Sequence, residues 1–471
     1  MTSSSPQTEP EPDSAALPRE LRTGGAELLH GVDIESLRAA AARSGEAAER
    51  RTAMLLLLCF VLAQADQLVM GLLALPIQTS LGISNAQLGL LQGFAFSMTF
   101  AVSGLVLAGF ADNGSRIAVA STCVGLSSVA TMACGLAQSF VAIFLLRALT
   151  AATEAGLPPA ALSIFGQGGD LRRSSSLTNM FMLAPFIGGG IVFILGAGLM
   201  TQLSGGDIWR WVFVIVGAPG LVLAPLLRFS GREPERAPSL DGSASPGLVA
   251  VLKVVFLDNR FLRVYFAAIT FFYMTVAASA AWYPALLTRG HGVSSAAAGG
   301  YAGSIFLICG VAGVVAANLR TRFSRSADQR RILRDVFAAA ILIVPAIIAA
   351  GACSSLVSSL CGYGAFSFCS AWIIATMLVP IQLGLPDRMR GRGTALASLC
   401  MSAIGGSSAP LIVGLLVDEA VWPLGQAFWL TGAAAAGAAV VFFRLAGARH
   451  VDRGAAIQFN GASELRLPGE N

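Results

Sequence analysis

Three ionisable side chains stand inside apolar runs long enough to cross a bilayer: Asp66, Arg147 and Glu154. A charge at bilayer centre costs at least about 2.5–3.5 kcal/mol on insertion scales, so such residues face a bundle interior or an aqueous cavity and default to function. Arg147 and Glu154 share the run FLLRALTAATEAGLPPAALSIF, residues 144–165. Their i to i+7 spacing is two helical turns, about 10.5 Å of rise on nearly one face. Asp66 and Arg147 fall at comparable depth in runs that cross in opposite directions, with Glu154 two turns further along. Desolvation favours a carboxyl proton, and a neighbouring guanidinium opposes it. Asp66 and Glu154 are therefore candidate proton carriers, with Arg147 as gate or substrate anchor. The bland alternative is an ionic tie between two helices. Gly156 and Pro158-Pro159 follow directly, where a helix bends or packs closely against a neighbour.

Other side chains supply candidates for a substrate cavity beside Asp66 and Arg147. Gln92, Phe96 and Thr99 recur at i, i+4 and i+7 and so share one helical face. Asn179 is a polar residue within another apolar run, and Tyr273, Trp282 and Trp372 offer aromatic edges further on. The second half of the chain has no deeply placed charge. That asymmetry fits an amphiphile whose charged head lies near Asp66 and Arg147 and whose apolar tail points to the second half. Helix packing is the competing reading for each of these residues.

Much chemistry is absent from the pattern. The eight cysteines are scattered without metal or disulfide spacing, and His30, His291 and His450 all lie outside the apolar runs. No metal site and no cofactor are expected. The glycines of APFIGGG, residues 184–190, follow no strand and belong to an apolar run, so they favour close helix packing over phosphate binding. No nucleotide loop or nucleophile–base arrangement is present, so an enzyme is not expected, and an ion gradient is the natural energy source.

The elements that must position these residues follow from composition. The chain is 55% hydrophobic and 12% charged, against about 25% charged in an ordinary soluble protein. Its mean hydropathy is +0.71. Apolar runs near 53–77, 86–111, 117–137, 139–166, 174–200, 209–229, 261–288, 295–320, 331–352, 355–384, 391–417 and 424–446 each match the roughly 20 residues that cross a hydrocarbon core. Backbone in lipid must satisfy its own hydrogen bonds, so the runs are helices. The predicted fold is an all-α integral membrane protein of twelve transmembrane helices in two six-helix halves. Residues 1–50 form a flexible tail, 51–230 the first half, 231–260 a central loop, 261–446 the second half and 447–471 a closing tail. Val249 to Phe256 within the central loop is a candidate surface helix. Arginines at 116, 172, 173, 228, 232, 236, 320, 322, 325, 330, 331, 388, 390 and 392 fill alternate loops. The positive-inside rule then puts the central loop and both termini in the cytoplasm. The net charge of +5 is a topological signal and does not imply nucleic acid. The Arg- and Ala-rich composition points to a bacterial inner membrane. The expected partners are protons, membrane lipids and a small-molecule or lipid substrate, with the chain acting as a monomer.

Local patterns resemble the major facilitator superfamily. GFADNGSR at 109–116 is similar to its loop motif between the second and third helices, with Asn113 where a basic residue is usual. The resemblance implies a cytoplasmic gate built on Asp112 and Arg116. More narrowly, Ala65-Asp66-Gln67, Leu81 to Phe96, Arg147 with Glu154-Ala155, Trp209 to Phe213, Arg232-Glu233-Pro234, Trp282-Tyr-Pro284 and Pro386 to Gly391 resemble the spinster-like branch. Gly405, Pro410, Gly414 and Asp418 agree with it. The resemblance spans Ala53 to Ala446 and implies secondary active transport, proton-linked and by alternating access, of a lysophospholipid- or sphingoid-like amphiphile. Organic-anion/proton symporters share the Asp, Arg and Glu-Ala pattern and give the alternative. A non-transporting membrane sensor is the alternative of another class.

Overall fold

The computed structural model describes residues 34–165, 171–202, 207–233, 248–322, 329–386 and 389–461. Among these, twelve helices are long and apolar enough to cross a membrane, and no strand occurs. They are α1 Ala47–Leu81, α2 Asn85–Leu107, α3 Arg116–Cys134, α4 Phe140–Phe165, α5 Met180–Gln202, α6 Ile208–Ser230, α7 Arg260–His291, α8 Ser295–Thr321, α9 Gln329–Ala352, α10 Leu356–Gly384, α11 Arg390–Asp418 and α12 Leu424–Ala448. The expected number of spans is met. Boundaries differ most at α1, where the apolar run sits inside a longer helix.

The described residues from Arg51 onward form one compact body. The expected surface helix near 249–256 is a short helix, Leu248–Lys253, running into a π turn at Val254–Asp258.

Local chemistry sets the helix ends. Ser84 and Gln87 form a reciprocal capping box at the start of α2. Ser115 and Ser139 accept from amides in the first turns of α3 and α4, and Asn259 does the same for α7. Such caps satisfy amides that a helix leaves without an internal partner. Helix α7 stops at Gly292, whose φ of +68° needs a residue without Cβ.

Two departures from regular helix bear on the site. Helix α4 breaks after Glu154, with helical segments Phe140–Glu154 and Leu157–Phe165 on either side. A Cβ on Gly156 would lie 2.6 Å from Cys123 Sγ, so glycine permits the approach of α3 at the break. Helices α2 and α11 each contain a π-helical stretch, Leu90–Met98 and Met401–Gly406. They cross with backbones touching: a Cβ on Gly93 would lie 2.5 Å from Ser407 O, and one on Gly89 2.5 Å from Pro410 O. Small residues are how membrane helices gain van der Waals contact when lipid gives no hydrophobic drive.

In the last six spans, α7 packs most extensively against α12 and also meets α11 and α8, while α9 packs against α10 and α12. Tyr283 stacks on Tyr363 with ring centroids 3.8 Å apart. The buried Tyr265 hydroxyl donates to Met377 O at 2.8 Å, giving this polar tip the partner that burial demands.

Candidate functional site

The charged cluster forms inside the first six spans. Arg147 Nη1 donates to Asp66 Oδ2 at 3.0 Å and lies 3.4 Å from the Asp66 carbonyl. Both residues are buried, as is Glu154. The Arg147 guanidinium carbon sits 4.8 Å from the Phe96 ring centroid, a cation–π distance. Asp66 Oδ1 and Arg147 Nε have no hydrogen-bond partner. Glu154 stands within interaction range of the Asp66 carboxyl. Both line a pocket of about 10 Å³ with Ser127, Ser128 and Thr131, a volume near the lower limit for one water. Two carboxylates facing one guanidinium leave one negative charge uncompensated. A single proton removes it.

A larger cavity of about 170 Å³ lies between the first six and last six spans. Gln64, Gln67, Gln92 and Ser97 reach it from one side, and Tyr273, Ser279, Tyr363 and Ser370 from the other. Phe186, Phe306, Phe366, Ile374 and Met377 supply apolar walls. No Asp, Glu, Lys, Arg or His is part of that lining.

Helix α1 is the wall between the two pockets. Cys59, Leu62, Ala63 and Asp66 face the small one, and Gln64, Gln67, Leu68 and Gly71 face the large one. Each set follows the i, i+3, i+4, i+7 rhythm of one helical face, and the two faces differ.

Away from both pockets, one end of the bundle is tied across the two groups of six spans. Asp418, at the end of α11, accepts from Asn85 Nδ2 and Ala86 N at 2.6 Å each and from Asn85 N at 3.3 Å. A carboxylate there meets the free amides and the positive end of the α2 dipole. Arg289, at the end of α7, donates to Asn85 Oδ1 at 2.8 Å and also to Gln78 Oε1 at the end of α1. Gln78 Nε2 adds a bond to Asn85 Oδ1 at 3.1 Å.

The opposite end carries a clamp within the first six spans. The buried Arg116 gives Nε to Glu233 Oε1 at 2.7 Å and its backbone N–H to the same oxygen at 3.1 Å, while the Ser115 hydroxyl donates to Oε2 at 2.7 Å. Burial alone would raise the Glu233 pKa, but bonds from Arg116 and Ser115 outweigh it and hold the carboxyl below its usual value of 4.5. A group depressed in the folded state contributes stability above its unfolded pKa and loses it as pH falls through the folded one. The melting temperature of the solubilised protein is therefore expected to drop more steeply on acidification below about pH 5 than that of Glu233→Gln. Parallel curves would remove Glu233 from the acid response.

The expected site residues divide between these places. Asp66, Arg147 and Glu154 come together, with Phe96 behind Arg147. Gln92 and Tyr273 line the central cavity. Asp66 and Arg147 lie behind α1, outside that lining, so the expected charged head group has no counter-charge in the central cavity. Trp282 belongs to packing: it is fully buried, and its Nε1 donates to Pro410 O at 3.0 Å. Trp372 packs 6.2 Å from the Phe368 ring, and Thr99 also falls outside the lining. The side chains of Asn179 and Asp112 lie outside the described residues. Arg116, expected at a gate with Asp112, holds Glu233 and reaches Ser163 Oγ at 3.4 Å. Sequence reading missed Gln64, Gln67, Ser97, Ser279, Tyr363 and Ser370. For the two glutamines the available signal was their own i, i+3 spacing within an apolar run.

Comparisons with known proteins bear on the family and the fold. The Major Facilitator Superfamily model matches residues 55–410. An MFS-type efflux pump of Mycolicibacterium smegmatis is 29% identical over 402 residues, covering 82% of this chain and 89% of the pump. A quinolone resistance transporter of Acinetobacter baumannii is 30% identical over 177 residues, 36% of this chain and 39% of that one. Among solved structures, a bacterial homolog to the human lysosomal transporter Spinster, inward-facing and unoccupied, superposes with a TM-score of 0.67 at 22% identity. The match covers 85% of this chain and 96% of that one.

Proposed function

This chain belongs to the Major Facilitator Superfamily, a family of multi-pass membrane transporters, and from that premise we propose that it is a proton-coupled secondary transporter of amphipathic organic molecules. The observation that carries this reading is the shared wall: α1 bears Asp66 on one face and cavity residues on the other. Protonation of the Asp66–Glu154 pair changes the charge that Arg147 must balance. A shift of α1 in response alters the cavity on its far side. The end tied by Asp418 and Arg289 is the external gate, and the Arg116–Glu233 end faces the cytoplasm, a placement the arginine-rich loops support. Alternating access then opens and closes these ends in turn, as in transporters built from two groups of spans about a central site.

The apolar walls and uncharged lining of the central cavity favour an apolar or amphipathic molecule over a small carboxylate. Lysophospholipids and sphingoid lipids are the representative amphiphiles, and the likeness to an efflux pump favours export in a bacterial inner membrane. The test is flux in proteoliposomes under an imposed pH gradient. One arm carries a lysophospholipid and sphingoid panel, and the other an organic-acid panel. Gradient-dependent movement of amphiphiles is the expected result. Movement of organic acids alone would replace it with the anion-symporter reading, and no flux in either arm would count against transport of these compounds.

A further inference from the structure

Buried polar atoms are normally hydrogen-bonded, and those that are not mark strain or a missing partner. Three such atoms converge on the central cavity from three helices. Ser279 Oγ of α7, Ser370 Oγ of α10 and Gln92 Nε2 of α2 have no partner in the structure. Ser279 is 1% exposed and Ser370 3% exposed, so bulk solvent does not serve them. Of the polar neighbours around them, Tyr273 interacts with Gln67.

We infer that the central cavity seats an uncharged hydrogen-bonding group, such as a hydroxyl, amide or carbonyl, carried on an apolar or aromatic body. The two hydroxyls and the amide supply both donors and acceptors, so such a group satisfies atoms that are otherwise orphaned. An ionised group gains no counter-charge there. Desolvating it without a partner is far costlier than burying a neutral polar group. Aromatic faces offer a cation little: one face of Tyr363 is taken by Tyr283 at 3.8 Å, and Phe186 packs 5.0 Å from Phe306. A cavity of about 170 Å³ is also near the size of an apolar cavity that binds one benzene ring, about 150 Å³. This inference rests on the transport reading and narrows it: the cavity takes a neutral part of an amphiphile, and any ionised head group lies outside it.

The experiment uses the full chain in detergent and four probes sharing one phenyl ring: phenylacetamide, 2-phenylethanol, phenylacetate and phenethylamine. Binding is read at neutral pH by saturation-transfer NMR titration. The two neutral probes are expected to bind at least about tenfold more tightly than either ion, a ratio worth about 1.4 kcal/mol. Ser370→Ala is expected to weaken the neutral probes severalfold while raising the melting temperature of the empty protein, because an unsatisfied buried hydroxyl is removed. A merely structural role would lower the melting temperature, and the rise shows that the variant folds. Equal or tighter binding of an ion, or binding of none of the four, overturns the assignment. Counterflow of phenylacetamide in proteoliposomes separates the two readings. Neutral preference in binding without flux of any probe would stand against transport and leave the class of ligand intact.

Discussion

Glu154→Gln abolishes proton-driven accumulation and leaves substrate exchange running: that is the outcome expected if the buried carboxyl pair carries the coupling proton. Glutamine keeps the shape and hydrogen-bonding capacity of the side chain but removes its ionisation. The triad of Asp66, Arg147 and Glu154 then holds one carboxyl and one guanidinium whatever the pH gradient. One pH unit is worth about 1.4 kcal/mol per proton, so one proton per substrate sustains a concentration ratio of about tenfold. In the variant that ratio falls to about one, while counterflow, which needs no net driving force, persists. Both quantities are read from the same proteoliposomes. Accumulation equal to wild type would exclude Glu154 from coupling, and loss of counterflow as well would show damage to the transport cycle itself. Asp66→Asn is a different experiment. It takes away the partner of a buried Arg147, and breaking a buried pair from one side costs about 3–5 kcal/mol.

Removing Asp418 is expected to open the end that it ties. Its carboxylate accepts from Asn85 N, Asn85 Nδ2 and Ala86 N. Hydrogen bonds to a charged group contribute about 1.5–3 kcal/mol each, and partial exposure here places the net effect at the lower figure for the group as a whole. That is about a tenfold shift in the balance between tied and open forms. Hydrogen–deuterium exchange of Asp418→Ala is expected to rise in the first turn of α2 and the last turn of α11, with the Arg116–Glu233 end unchanged. Exchange unaltered at α2 would show that the contacts of Arg289 with Asn85 and Gln78 suffice without Asp418. The backbone crossing at Gly89 and Gly93 lies beyond these bonds along the same two helices, so loosening propagates inward from the tie.

The membrane helices were legible because a long apolar run has one stable form in lipid, and each was found close to its expected place. The meeting of Asp66 and Arg147 was legible too, since depth along two antiparallel helices follows from rise per residue. The break after Glu154 announced itself in Gly156 and the paired prolines. Other features left no such trace. Ser279 and Ser370 sit in apolar runs where serine is commonplace, and only the fold reveals that both face one cavity without partners. The Asn85–Asp418 tie joins residues 333 positions apart in the chain, beyond the reach of any local pattern. The π-helical stretches of α2 and α11 do not disturb hydropathy at all. Trp282 read as a ligand edge because aromatic rings serve both packing and recognition, and its bond to Pro410 O decides for packing.

The two faces of α1 have a consequence for how such a protein changes over generations. On the proposed coupling, substitutions at Gln64, Gln67 or Leu68 would alter what is recognised, and substitutions around Leu62, Ala63 or Asp66 would alter how recognition is powered. Because the two sets interleave along one helix without sharing a position, a lineage can acquire a new spectrum of compounds by point mutation while its energetics are inherited unchanged.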